Sequence, residues 1–203
     1  MECVDLLYLH NAAESWLAEV GYRRFLEKLQ DVFTIYEQER KSGRILHYGM
    51  ATWSCLRVPK GEAKHLNLDD VVEVARGIAG DEHGLKFVQL PFNVAMSEAL
   101  TLKNQRIADE PLTTFEAAKR LGVGVFTSVP LFQSRLLKNS RVPDVEGSKA
   151  LALIQFARSA HPAVVAPLIG QKRREHLDEN LRIAKLAPIP TESEFKEKYK
   201  GLV

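Results

Sequence analysis

The sequence predicts an α/β fold, five βα units around a parallel sheet, and three observations lead there. Short apolar runs rich in β-branched residues alternate with longer amphipathic ones along the chain. The short runs are apolar at successive positions, as strands covered on both faces must be. Each is followed at once by polar residues, and the C-terminal ends of parallel strands are where α/β folds build their ligand sites.

The expected strands are 3–9, 45–51, 86–90, 124–127 and 163–169. The first stands out, because VDLLYLH (4–10) carries a histidine, His10, at its C-terminal end. Between the first two strands a helix is expected over about 21–41, with Phe25, Leu29, Val32, Phe33 and Tyr36 forming one buried stripe at helical spacing. Ser42-Gly43 ends it, glycine being the residue that accepts a left-handed terminal conformation. A second helix starts near Asn67, whose side chain is expected to cap the amides ahead of Val71, Val72 and Ala75. Thr113-Thr114 announces a third, with Glu116 in its first turn. A fourth runs through Ala150, Leu151, Ile154 and Ala157, and a fifth over 174–185. A proline-bearing tail then leads to a last amphipathic piece over 192–199. The connections 91–112 and 129–147 both follow strands and are long enough to suggest use. Gly122-Val123-Gly124 precedes a strand, so it reads as a helix-ending turn and not as a dinucleotide fingerprint.

A single domain over 1–203 is expected, since no repeat or low-complexity linker divides the chain. With 45% hydrophobic and 27% charged residues it has the composition of a globular protein with a substantial core. A net charge of +2, from 28 basic and 26 acidic residues well interspersed, argues against a nucleic-acid surface. Two widely spaced cysteines, Cys3 and Cys55, make neither a disulfide framework nor a metal site, and the histidines show no ligand spacing. No secretory leader or membrane span is recognisable, so no membrane partner and a cytoplasmic location are expected.

The polar groups that follow the strands are His10-Asn11, Thr52-Trp53-Ser54, Gln89 with Asn93, Ser128, and Gly170-Gln171-Lys172-Arg173. Any one of them also reads as ordinary loop polarity; their recurrence after all five strands points to one rim. Lys172, Arg173 and Arg174 gather at a helix start, where like charge is unfavourable unless an anion joins them. The same run also reads as a solvated basic turn. Tyr8, two residues before His10, should face the same way from a deeper layer, and Asp5 the opposite way.

Taken together, VDLLYLH (4–10), RILHYGMATW (44–53), FVQLPFN (87–93), PLFQSRL (130–136) and IGQKRREHLDENL (169–181) resemble, in order and spacing, the second part of an aldo-keto reductase. The resemblance spans nearly the whole chain. It implies a (β/α)8 barrel of TIM type, present here as a partial barrel holding the fourth to eighth units. It also implies NADP-dependent reduction of an aldehyde or ketone by an aspartate, a tyrosine, a lysine and a histidine. His10 matches the histidine; the other three belong to units that this sequence does not include. An N-terminally truncated family member with little or no carbonyl reduction is therefore expected. Gln89 matches the glutamine that meets the nicotinamide carboxamide. The pair that commonly assists it is Ala51-Thr52, of which only Thr52 has a hydroxyl. Ser128 stands where an aromatic ring often stacks on the nicotinamide. By the same resemblance Gly170, Gln171, Lys172 and Arg173 take the phosphate of the adenosine half, and Glu179 and Asn180 the adenine. His176 stands where an arginine often meets the 2′-phosphate, which leaves NADP or NAD open. A small-molecule carbonyl substrate is the implied partner. Strands 3–9 and 163–169 would be open sheet edges, inviting self-association of a non-catalytic nucleotide-binding or interaction module. An unrelated open sheet of flavodoxin type also fits the strand count, and would show a reversal in strand order.

Overall fold

A computed structural model describes residues 3–139 and 141–203. Its main sheet has five parallel strands: β1 (Val4–His10), β2 (Ile45–Ala51), β3 (Leu85–Pro91), β6 (Gly124–Ser128) and β7 (Val164–Pro167). They lie side by side in chain order, β1-β2-β3-β6-β7, with no reversal. That order excludes the flavodoxin arrangement and is how successive βα units wind into a barrel wall. β1 and β7 are the two edges.

The two faces of the sheet differ in chemistry. Leu7, Met50, Val88, Leu90 and Val125 point to the helices and join one core with Leu29, Phe33, Val72 and Phe156. Each fully buried side chain of this size contributes about 1.5–3 kcal/mol. On the other face one level reads Tyr8, Gly49, Phe87, Gly124 across β1, β2, β3 and β6. Large side chains from alternate strands fill the space that glycines leave on the strands between, the layered construction of a barrel interior. A Cβ on Gly49 would lie 2.2 Å from the Phe87 carbonyl oxygen and 2.8 Å from Tyr8 Cε1. One on Gly124 would lie 2.7 Å from Val165 Cγ2.

The expected helices are present, and others with them. α1 (Ala12–Val20) turns straight off β1, a helix the sequence pattern did not announce. α2 (Tyr22–Lys41) buries Phe25, Leu29 and Phe33, and ends at Gly43 with φ 75°. α3 (Leu68–Ala79) begins after Asn67, but Asn67 does not cap it. Its Oδ1 accepts from the Arg106 amide at 3.0 Å, while Gln105 Oε1 takes the Leu68 amide at 2.8 Å. Local capping chemistry loses here to partners almost forty residues away. The long connection 91–112 is structured: α4 (Glu98–Thr101) and an antiparallel hairpin of β4 (Gln105–Ile107) and β5 (Glu110–Leu112). α5 (Thr114–Arg120) carries a full capping box, Thr113 Oγ1 accepting from the Glu116 amide and Glu116 from the Thr113 amide. Gly122, at φ 68°, then turns the chain into β6 as a helix-ending residue. α6 (Leu136–Asn139) lies in the second long connection, and α7 (Lys149–Ser159) precedes β7. α8 (Arg174–Leu181) gives way to a 3-10 turn over Arg182–Lys185. α9 (Glu192–Lys198) packs Phe195 and Tyr199 against Phe156 of α7, with ring centroids 5.3 and 5.0 Å apart.

Candidate functional site

The C-terminal strand ends are locked together sideways. The Asn11 amide donates to the Ala51 carbonyl at 2.7 Å, the Thr52 amide to that of Gln89 at 2.8 Å, and the Phe92 amide to that of Ser128 at 3.1 Å. The Leu168 amide donates to the Thr127 carbonyl at 2.7 Å. Four strands therefore share one level, and His10, Ala51, Gln89 and Phe126 occupy it on the interior face. His10 is exposed, whereas Leu7, Tyr8 and Leu9 of the same strand are half-buried. Asn11, at φ 52°, makes the left-handed turn into α1 that asparagine tolerates better than most residues. Gln89 is half-buried on this face, and its side-chain amide makes no hydrogen bond among the described residues, Thr52 engaging only its backbone carbonyl. Ser128 lies one step further on, opposite Pro91.

Below the rim, Tyr8 Oη and His47 Nδ1 are shielded from solvent, with no hydrogen-bond partner among the described residues. Burial pushes the Tyr8 phenol well above its ordinary value, so it is a poor proton donor at neutral pH. It sits a layer beneath His10, as the strand alternation predicts, and Asp5 is exposed.

Thr52 is placed differently from the other rim residues. It is only 4% exposed, and its hydroxyl donates to the Gln89 carbonyl at 3.2 Å, serving the strand junction. The loop that follows is held from two directions. Glu14 Oε1, from the first turn of α1, accepts the amides of Trp53, Ser54 and Cys55 at 2.7, 2.7 and 3.1 Å. Arg57 donates from Nε and Nη2 to the Trp53 carbonyl and from Nη1 to Glu98 at 2.6 Å. Burial pushes the Glu14 carboxyl up, but the three amides outweigh it and hold the group below its ordinary value. Trp53 itself stays 46% exposed beside the rim. Neither Glu14 nor Arg57 is evident from sequence, since the amides that Glu14 accepts and the Glu98 carboxylate that Arg57 meets each lie about forty residues away.

Beyond β6 the backbone departs from ordinary conformations. Val129, Phe132, Gln133 and Ser134 all have positive φ, between 47° and 67°. Each such residue costs about 1–3 kcal/mol, and such strain gathers at ligand sites and switches.

The C-terminal set follows the edge strand β7, at the opposite end of the strand order from His10. Gly170, Gln171, Lys172, Arg173 and His176 are all exposed. Lys172 makes no ion pair among the described residues, while Arg173 meets Glu175 at 3.3 Å and Arg174 meets Asp178 at 3.7 Å. Glu179 accepts from Ser148 Oγ at 2.6 Å, which ties α8 to the start of α7. Asn180 is buried. The described residues contain no cluster of His, Cys, Asp and Glu able to hold a metal ion. No helix among them is long and apolar enough to cross a membrane.

No family model and no curated protein matches the sequence. Solved structures do. A protein described as a 2,5-diketo-D-gluconic acid reductase B aligns over 98% of this chain and 57% of its own, at 15% identity and a TM-score of 0.63. A thermostable aldo-keto reductase, Tm1743, crystallised with the inhibitor epalrestat, aligns over 100% and 61%, at 15% identity and a TM-score of 0.62. The holo form of aldo-keto reductase AKR11C1 from Bacillus halodurans aligns over 98% and 62%, at 16% identity and a TM-score of 0.57. The chain thus spans about three fifths of the length of each of these structures. At such identities the likeness is one of fold, and it agrees with the consecutive strand order and the layered interior face. The chain has the α/β barrel-type fold of the aldo-keto reductases, over five successive βα units of it.

Proposed function

We propose that this chain is of aldo-keto reductase descent and binds a nicotinamide dinucleotide, NADP or NAD, on its rim. The observation that carries the reading is the single level of His10, Ala51 and Gln89 on the interior face, with the Gln89 amide unengaged. That amide suits a nicotinamide carboxamide, offering one donor group and one acceptor. Lys172 and Arg173 ahead of α8 suit a phosphate, and Lys172 has no competing carboxylate among the described residues. Thr52 fits the group poorly, because its hydroxyl already serves the Gln89 carbonyl. Glu179 is likewise engaged, with Ser148. When bound in its reduced form, the dinucleotide would supply hydride to a carbonyl carbon and be left as the oxidised nicotinamide. His10 would orient the carbonyl oxygen from the neighbouring strand end, with its ring exposed to an incoming small molecule. The product alkoxide then needs a proton from a tuned acid, and Tyr8, a layer below with its phenol pushed upward, is not one. We therefore read the 203-residue polypeptide by itself as a nucleotide binder with weak or no carbonyl reduction.

Titration with NADPH and NADH, followed by nucleotide fluorescence, tests this. Saturable binding is expected, weakened about tenfold in Gln89→Ala if one well-formed amide pair is lost. A wild-type chain that binds neither nucleotide overturns the reading. Aldehyde-dependent NADPH oxidation well above background, abolished by His10→Ala, would overturn the weak-activity part alone.

A second reading, association through the sheet edges, is favoured by β1. This seven-residue edge strand contains no proline or lysine to discourage pairing, whereas β7 carries Pro167. Light scattering on the eluted protein is expected to give a mass above that of one chain, and a well-behaved monomer would count against it.

A further inference from the structure

We propose that Glu14 is a positioning residue that fixes the rim loop 52–57, so that the site's competence depends on a carboxylate outside it. The inference rests on the rim being the ligand site. The geometry is specific: one carboxylate oxygen collects three consecutive backbone amides, and three converging N–H groups form the kind of nest that holds an anion. Here the anion is the chain's own, delivered by the helix that leaves His10. One side chain thereby couples two strand ends. His10 ends β1 four residues before Glu14, and Thr52 and Trp53 follow directly from β2. Beyond Thr52, which the Gln89 carbonyl already holds, the loop needs such an anchor, because residues 53 and 54 form no regular ladder and Trp53 is largely outside the core. Arg57 holds the Trp53 carbonyl but not these amides, so the amides depend on Glu14. Charge-assisted hydrogen bonds of this kind are roughly twice as strong as neutral ones, so a neutral isostere should loosen the loop without erasing it.

Cys55 is a built-in reporter. It is fully buried directly under the clamp, and burial, with Glu14 adding to it, pushes its thiol far above the ordinary value. It should react only when the loop opens. In a Cys3→Ser background Cys55 is the only thiol in the sequence. The experiment follows its labelling by an aromatic disulfide reagent in native buffer for wild type, Glu14→Gln and Glu14→Ala, with urea unfolding measured on each. Labelling is expected to accelerate about tenfold or more in Glu14→Gln, and further in Glu14→Ala, beyond what the loss of global stability accounts for. Glu14→Gln keeps the measurement decisive if Glu14→Ala does not fold. Unchanged labelling, or labelling that only tracks global unfolding, overturns the inference. A parallel NADPH titration in a Trp16→Phe background reads the quenching of Trp53 emission. A smaller quench at saturation in Glu14→Gln is expected, and an unchanged quench and affinity would refute the positioning role even with a looser loop. If wild type binds no NADPH, the nucleotide reading fails, and the inference built on it, while Cys55 still reports whether the clamp exists.

Discussion

Gly49→Ala is expected to destabilise the protein by about 3 kcal/mol or more, at the upper end of what overpacking a core costs. The added methyl would stand 2.2 Å from the Phe87 carbonyl oxygen and 3.0 Å from its carbon, and both are backbone atoms. They cannot rotate aside. Relief requires β2 and β3 to move apart where their register already shifts, between Tyr48 and Gly49. Tyr8, with Cε1 at 2.8 Å, blocks retreat toward β1. In a chain of this length such a loss lowers Tm by about 6–12 °C. Gly77→Ala is the matched control. Gly77 lies on the exposed side of α3 with nothing within 4 Å of an added Cβ, so alanine there should be neutral or stabilising by up to about 1 kcal/mol. Thermal unfolding of the two variants beside wild type separates close packing from a general intolerance of substituted glycines. Equal behaviour of the two would sink the layered-interior account of this face.

The contrast shows what was legible in the sequence and what was not. Apolar runs such as those in β3 and β6 declare a two-sided strand by themselves, and the consecutive βα order follows from their alternation with helices. The rim was legible for the same reason, because the C-terminal ends of parallel strands share one side of the sheet, whereas the level that sets His10, Ala51 and Gln89 side by side depends on the register between strands. Contacts between segments distant in sequence were not. Glu14 meets its three amides across about forty residues, and no local pattern encodes that. Asn67 looked like a helix cap by local chemistry, yet the hairpin β4–β5 supplies partners that override it. The hairpin itself was hidden because its strands have three residues each and one contains a proline. α1 was missed because it buries only Ala13 and Leu17, too few for a stripe.

Glu37 is the clearest such case, and its removal is the other large expected effect. It lies four residues beyond Phe33 on the buried stripe of α2 and is 3% exposed, where hydrophobic periodicity would place an apolar residue. Three donors satisfy it: the Gly84 amide at 2.6 Å and Tyr48 Oη at 3.0 Å on one oxygen, and Arg40 Nη1 at 2.6 Å on the other. Arg40 continues to the carbonyls of Leu46 and Glu82, so one carboxylate joins α2 to both ends of the β2–β3 junction. Glu37→Ala strands the buried Tyr48 hydroxyl and the Gly84 amide and leaves Arg40 without its counter-ion, for a loss of about 3 kcal/mol. Glu37→Gln keeps an acceptor for the first two and should cost about half as much. The pH dependence fixes the sign. Burial pushes the Glu37 carboxyl up, but the Gly84 amide, Arg40 and Tyr48 together hold it below the ordinary value of 4.5. A carboxylate lowered in the folded state contributes stability that is present above the unfolded value and is lost as pH falls through the folded one. Protonated Glu37 resembles glutamine, so the stability gap between wild type and Glu37→Gln should be full near neutrality and close as pH drops below 4.5. Urea unfolding of the pair at a series of pH values measures it. A gap that stays constant into acid would mean that the Arg40 ion pair contributes nothing and that Glu37 acts by shape alone.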